Sequence, residues 1–462
     1  MPDAAGAGEA GRALRGGTDT IAAIATASGR GAIALVRVSG ADAFAIARCV
    51  VDPWPVDPRA ATLATIRDPD SGTVVDQALV TRFEAGRSFS GEPTVEISTH
   101  GGVVTPALVL AALVAAGARQ ALPGEFTRRA VLSGRLTLAQ AEAIGDVIDA
   151  TSRAAQRVAL HAADGALSAA VLALRDAVLD VEALIAYDID FPEEDEGPVS
   201  RERVLDAAQR AIEAIDALRS TEARGHVVRD GALVVLAGVP NAGKSSLFNA
   251  LLGESRALVT PVAGTTRDAI EAVLDSGAWP LRLVDTAGLR ESADEVERLG
   301  IEVSGRYLAN ARVVLVCGES APDLALADAR VRALTNAPRI RVLTKSDRDG
   351  TRAPADALPV SALTGAGLTV LLARIVEAVE ASLGELPADD APIVTRARHA
   401  QALARAREEM EAFVAARHDD ALPAPVAAVH LRSAALALEE LVGAVDIDDV
   451  LDRVFRTFCV GK

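Results

Sequence analysis

The segment "ALVVLAGVPNAGKSSLFNALLG" sets a run of buried-strand character before Gly238-x-x-x-x-Gly243-Lys244-Ser245 and a helical pattern after it. Such a loop suits phosphate. Its glycines let backbone N–H groups approach the oxygens, and the helix that follows turns its positive end toward them. Lys244 can reach the β and γ oxygens, Ser245 can ligate Mg²⁺, and Ala242 and Ser246 line the same cradle. Further along, "LRLVDTAGLRE" puts Asp285 at the end of an apolar strand, where it can hold the magnesium shell through water. Thr286, Ala287 and Gly288 continue that turn, with Gly288 placed to follow the γ-phosphate. "IRVLTKSD" ends another strand with Thr344, Lys345, Ser346 and Asp347, and "LPVSALTG" ends the next with Ser361, Ala362 and Leu363. An aspartate there can accept the N1 and 2-amino protons of guanine while the Lys345 stem lies on the purine plane.

The order and spacing of this set resemble the TRAFAC-type GTPases and favour guanine over adenine. One position departs from the family: the usual asparagine of its NKxD motif is Thr344. The loop "VTPVAGTTRD" resembles a first switch, with Thr266 as second magnesium ligand and Thr260, Pro261, Val262, Ala263, Gly264 and Thr265 around the nucleotide. Leu289 stands where many small GTPases carry the glutamine that orients the attacking water, so hydrolysis must find its polar groups elsewhere. Two residues answer that need. Asn241 can offer a carbonyl to a monovalent cation or simply shape the loop, and Glu297 can position water or be a solvated helix face.

These loops need a parallel sheet to hold them. From about Val228 to Ala381 strand runs alternate with helices in the α/β manner, whereas Leu136 to about Arg224 and the stretch after residue 382 show helical periods. An α/β domain is therefore expected inside a helical one, with the acidic turn "DIDFPEEDEGP" separating two long helical stretches. Asp19 to about Gly134 has short, Gly/Pro-punctuated apolar runs and reads as a compact α+β domain of strands with one or two helices. The expected boundaries are a disordered tail at 1–17, then domains at 18–134, 135–227, 228–382 and 383–462.

Composition limits the partners. A net charge of −17 argues against a broad electrostatic footprint for nucleic acid and leaves room only for local basic patches. Cys49, Cys317 and Cys459 have no metal or disulfide spacing, and no apolar run reaches membrane length, so a cytoplasmic protein is expected. Of 47 basic residues only Lys244, Lys345 and Lys462 are lysine, leaving 44 arginines, so each lysine marks a place where a compact ammonium can matter. Two fall in the nucleotide motifs. The third ends the chain in "FCVGK".

Motifs spread over nearly the whole chain resemble the MnmE (TrmE) family of tRNA modification GTPases: "DTIAAIATASGRGAIALVRVSG", "SFSGEPTVEISTHGG", "LPGEFTRRAVLSGRLTLAQAEAIGDVIDATS", "IDFPEE" and "FCVGK". The resemblance implies a folate-binding, dimerising α+β domain, a helical domain, and a Ras-like doubly wound P-loop G domain inserted in it. It assigns a one-carbon tetrahydrofolate, the 5,10-methylene or 5-formyl form, to Arg37, Glu96, Arg135 and Lys462. It assigns potassium to Asn241, Thr260, Val262 and Thr265, and makes potassium-dependent G-domain dimerisation the trigger of hydrolysis. Glu297 becomes the water-positioning catalyst, supported by Arg290.

Cys459 matches a family cysteine needed for modification, either as nucleophile or as a small group closing the last helix. His100 in "THGG" reads as a structural histidine. The implied work is addition of an aminomethyl or carboxymethylaminomethyl group to C5 of the wobble uridine of certain tRNAs, by a homodimer acting with an FAD-dependent MnmG-like partner. Arg128, Arg129, Arg135, Arg453 and Arg456 are candidate tRNA-facing charges or ordinary solvated faces. The rival is a ribosome-assembly GTPase resembling Era or Der, which has no use for a folate pocket or a terminal Cys-Val-Gly-Lys.

Overall fold

The structure is a computed structural model that describes residues 19–186, 199–254, 270–285, 305–348, 353–384, 391–418, 422–443 and 461. The expected tail 1–17 and the acidic turn lie outside the described residues. The chain divides into two compact units, Met1–Glu142 with Gly443–Lys462, and Ala143–Val442.

In the first unit the period-two runs form β1 (Ile21–Ile24), β2 (Ile33–Ser39), β3 (Val51–Asp52), β4 (Thr62–Arg67), β5 (Val74–Phe83), β6 (Thr94–His100) and β7 (Arg119–Gln120). They make one sheet in the order β3-β4-β5-β6-β2-β1-β7, antiparallel except for β1 with β7. Three helices accompany it, one more than the sequence suggests: α1 (Ala43–Arg48), α2 (Val104–Ala115) and α3 (Glu125–Leu132). Alternation decides the faces. Val36, Val38, Ile66, Val80, Val95 and Ile97 turn to the core with Ile46 of α1 and Val109 and Leu113 of α2. Glu96, Ser98 and His100 share the other face of β6.

A half-buried ionic network ties Asp19, just before β1, and the strand β7 to α3. Arg119 pairs with Asp19 at 2.6 Å and with Glu125 at 2.6 Å, and Arg129 pairs with Asp19, Glu92 and Glu125. Burial opposes the charge on Glu125, but hydrogen bonds from Arg119 and the Leu122 N–H, with both guanidinium charges, together hold its carboxyl below the ordinary 4.5. A depressed carboxylate contributes stability that is present above its unfolded value and lost as pH falls through the folded one. Glu125→Gln is therefore expected to cost about 2 kcal/mol, because it weakens charge-assisted hydrogen bonds to Arg119 and Arg129, which keep Asp19 and Glu92 as partners. Hydrogen exchange of the β1 and α3 amides should show the deficit above pH 5, and it should shrink below pH 4.5. A deficit independent of pH would count against this account.

The second unit combines helices with an α/β sheet. The stretch read as continuous helical pattern is three helices: α4 (Leu138–Asp149), on which the division between the units falls, α5 (Arg153–Ala163) and α6 (Ala166–Leu184). Local chemistry makes the breaks. Ser152 accepts from the Ala155 N–H and so caps α5, and Gly165, at φ +101, enters α6 from the left-handed region. α7 (Arg201–Arg219) and α8 (Glu222–Asp230) follow, and α12 (Ala397–His418) and α13 (Ala424–Val442) pack with α6 and α7 late in the chain.

Between them in sequence lie β8 (Ala232–Gly238), α9 (Lys244–Glu254), β9 (Ile270–Asp275), β10 (Pro280–Asp285), β11 (Val313–Gly318), α10 (Ala321–Arg332), β12 (Arg339–Leu343), β13 (Ala357–Pro359) and α11 (Leu368–Leu383). The sheet order is β13-β12-β11-β8-β10-β9, parallel but for the β9 edge. Both faces are buried, which is why β8 and β11 read as unbroken apolar runs. The chain returns to the helices beside its point of departure: the Val394 N–H donates to Thr221 Oγ1 at 3.0 Å, and Arg396 pairs with Asp146 at 2.7 Å.

Candidate nucleotide-binding site

The phosphate loop leaves the carboxyl end of the central strand β8, beside the carboxyl ends of β10 and β11. Ligands of open α/β sheets bind at such ends. Gly238 must be glycine on steric grounds, since a Cβ there would lie 2.3 Å from the Cys317 carbonyl oxygen. Asn241 takes φ +61 and Lys244 opens α9, so the loop's backbone turns over the helix N-terminus. The Lys244 ammonium is buried and donates to the Gly238 and Val239 carbonyls at 3.2 and 3.0 Å.

Ser245 is exposed on the first turn of α9, and Asp285 is fully buried at the end of β10. A hydroxyl and a carboxylate are hard oxygen donors of the kind Mg²⁺ takes alongside phosphate. Beneath them burial pushes the Cys317 thiol up to about 12, with Asp285 adding to that rise against the pull of Lys244, so it packs as a neutral group.

A cleft of about 200 Å³ opens beside the loop, lined among others by Gly243, Ser246, Lys345, Asp347, Ala362 and Leu363. The Ser361 hydroxyl donates to Asp347 Oδ1 at 2.6 Å and accepts from the Thr364 N–H at 3.1 Å. That hydroxyl bond, with the local backbone and the Arg348 charge, holds the Asp347 carboxyl below its ordinary range. Asp347 is therefore an ionised, oriented acceptor at the mouth of the cleft.

Thr344 stands where the resembled motif has asparagine. Its buried hydroxyl reaches the Ala242 carbonyl at 2.8 Å and the Gly318 carbonyl at 3.1 Å, tying the phosphate loop to β11. The sequence motifs did not mark two further residues: Arg348, which lines the cleft, and Glu319, which pairs with the lining residues Lys345 and Arg348. The available signal for Glu319 was its place directly after the buried run "VVLVCG".

In the first unit the register sets Arg37 opposite Glu96, and their side chains pair at 2.7 Å. The Arg37 guanidinium also lies 5.2 Å from the Phe89 ring centroid and 5.6 Å from that of Phe126. The pair sets donors beside a carboxylate, which fits the mixed edge of a pterin. Arg135 is exposed in the turn after α3, and Gly461, with φ +98, sits so close to β1 that a Cβ would meet the Ile24 carbonyl oxygen at 2.3 Å.

His100 is exposed, and both Asp76 oxygens hold it, one by its backbone N–H at 2.9 Å and one at Nδ1 at 2.7 Å. Arg128 and Arg129 do not face a nucleic acid. Both are buried, as is every residue from Glu125 to Ala130 of α3, and Arg129 is consumed by the ionic network.

Several expected residues lie outside the described residues: Thr260, Pro261, Val262, Ala263, Gly264, Thr265 and Thr266 of the first switch, and Thr286, Ala287, Gly288, Arg290 and Glu297 of the second. Arg453, Arg456, Cys459 and Lys462 do so as well.

Residues 138–459 match the family model of the MnmE helical domain, and residues 20–135 match that of the GTP-binding protein TrmE N-terminus. The chain is 42% identical over 455 residues to the tRNA modification GTPase MnmE of Azoarcus sp. (strain BH72), covering 96% of this chain and 98% of the relative. It is 43% identical over 463 residues to a protein of the same name in Thermus thermophilus, covering 98% and 100%.

Proposed function

Because the chain belongs to the MnmE family of tRNA modification GTPases, we propose that it hydrolyses GTP in the service of wobble-uridine modification. The observation that carries the GTPase part is the convergence of Lys244, Asp285 and the Asp347–Ser361 pair at the carboxyl ends of one parallel sheet. In this reading the loop N–H groups and Lys244 take the phosphates, Ser245 and Thr266 hold Mg²⁺ with Asp285 behind its water shell, and Asp347 reads guanine. Asn241, with Thr260, Val262 and Thr265, holds K⁺ where the G domains of a homodimer meet. Glu297 orients water with support from Arg290.

The modification part rests on family membership together with the Arg37–Glu96 pair and the position of Gly461. A one-carbon tetrahydrofolate supplies the carbon of the new C5 substituent. Arg37 and Glu96 bind its pterin edge, and Arg135 and Lys462 meet its glutamate carboxylates. The product is a carboxymethylaminomethyl or aminomethyl group at C5 of uridine 34, made with an FAD-dependent MnmG-like partner in the cytoplasm, with Cys459 close to the reaction.

Calorimetric titration with 5-formyl-tetrahydrofolate tests the proposal. Saturable binding that weakens about tenfold or more when Lys462 is deleted is the expected result, for loss of a charge-assisted contact. A full-length protein that binds no folate would leave the GTPase reading standing and remove the folate site from the proposal.

A further inference from the structure

The guanine cleft carries a charge cluster beyond its sequence motifs. Lys345 sits at φ +56, and its ammonium donates both to the Asn241 carbonyl at 3.1 Å and to Glu319 Oε1. The second Glu319 oxygen accepts from Arg348 Nη1 at 2.9 Å. One carboxylate thus holds two cations that line the cleft. We infer that Glu319 is a positioning residue for guanine-nucleotide binding, acting through Lys345; this rests on the GTP-site reading above.

The backbone fixes Glu319 from both sides. β11 ends at Gly318, and Ser320 caps α10 by accepting from the Asp323 N–H. Parallel pairing sets Gly318 beside Leu343, so Glu319 and Lys345 emerge from neighbouring strand ends.

A lysine stem in solvent samples many rotamers, and a base that stacks on it must freeze them. Anchored at its far end to Glu319 and Asn241, the stem instead runs past Gly243, where a Cβ would lie 3.6 Å from Lys345 Cε. The purine then meets a floor already in place. The same contact orders the phosphate loop, because the carbonyl that Lys345 grips belongs to Asn241.

The test is a double-mutant cycle on the full-length protein, titrated with a fluorescent GDP analogue at constant KCl and magnesium. Glu319→Gln is expected to weaken binding about five- to tenfold, by releasing the stem. In a Lys345→Met background, which keeps the stem length but removes the ammonium, the same change should alter affinity less than about twofold. A merely structural role would weaken binding equally in both backgrounds and lower the melting temperature with it, and that outcome overturns the inference. So does Glu319→Gln binding like the parent while Lys345→Met binds poorly. If the parent protein binds no guanine nucleotide at all, the site reading and this inference fall together.

Discussion

Lys244→Ala is expected to lower GTP turnover by about 10²- to 10³-fold, the cost of removing one preorganised donor from developing charge. The ammonium is buried at the mouth of α9 and already bonded to two loop carbonyls, so it is in place before phosphate arrives. Its removal should leave the fold intact, since the Gly238 and Val239 positions are only partly buried and water can reach them. Lys244→Arg is expected to fail nearly as badly. A planar fork cannot occupy a cradle shaped round a point charge, which accounts for a lysine surviving here among 44 arginines. Single-turnover hydrolysis in potassium buffer, with circular dichroism as a fold control, gives the answer. Turnover within threefold of the parent would mean that the phosphates lie elsewhere.

The second large effect concerns the base. Asp347→Asn should weaken GTP binding by about 10²-fold or more while raising affinity for XTP, because a site built to pair with specific N–H groups rejects a base that leaves them unmatched. Ser361 makes the exchange clean. Its hydroxyl will donate to the amide oxygen as it now donates to Asp347 Oδ1, turning the amide nitrogen toward the cleft, where it can meet the 2-oxo group of xanthine. Competition between the two nucleotides for a fluorescent probe reads the switch directly. A variant that loses GTP and gains nothing for XTP would show that Asp347 supports the loop rather than the base.

What could be read from the sequence followed how local its cause is. The phosphate loop was legible because strand, glycines, lysine and helix are contiguous, and Asp347 because its motif ends a strand. Glu319 was not, because its partner Lys345 stands 26 residues away and only the β11–β12 register brings them together. The sheet of the first unit was hidden for the same reason: Arg37 and Glu96 are 59 residues apart. Arg128 and Arg129 misled because α3 is covered on every side from Glu125 to Ala130, so a charged side chain there does not mark a solvated face. The long helical stretch misled in the opposite way. Its apolar repeat runs through Ser152 and Gly165, and only capping and a left-handed φ divide it.

The contact between Gly461 and the Ile24 carbonyl has a consequence for biosynthesis. The first strand leaves the ribosome early, and the sheet around it can form while later domains are still being made. Gly461 is made 437 residues after Ile24 (461 minus 24), so the first strand acquires this neighbour only once all the intervening elements have been synthesised. A chain stopped upstream of Gly461 therefore yields a protein whose first strand lacks that neighbour, however well its sheet has folded.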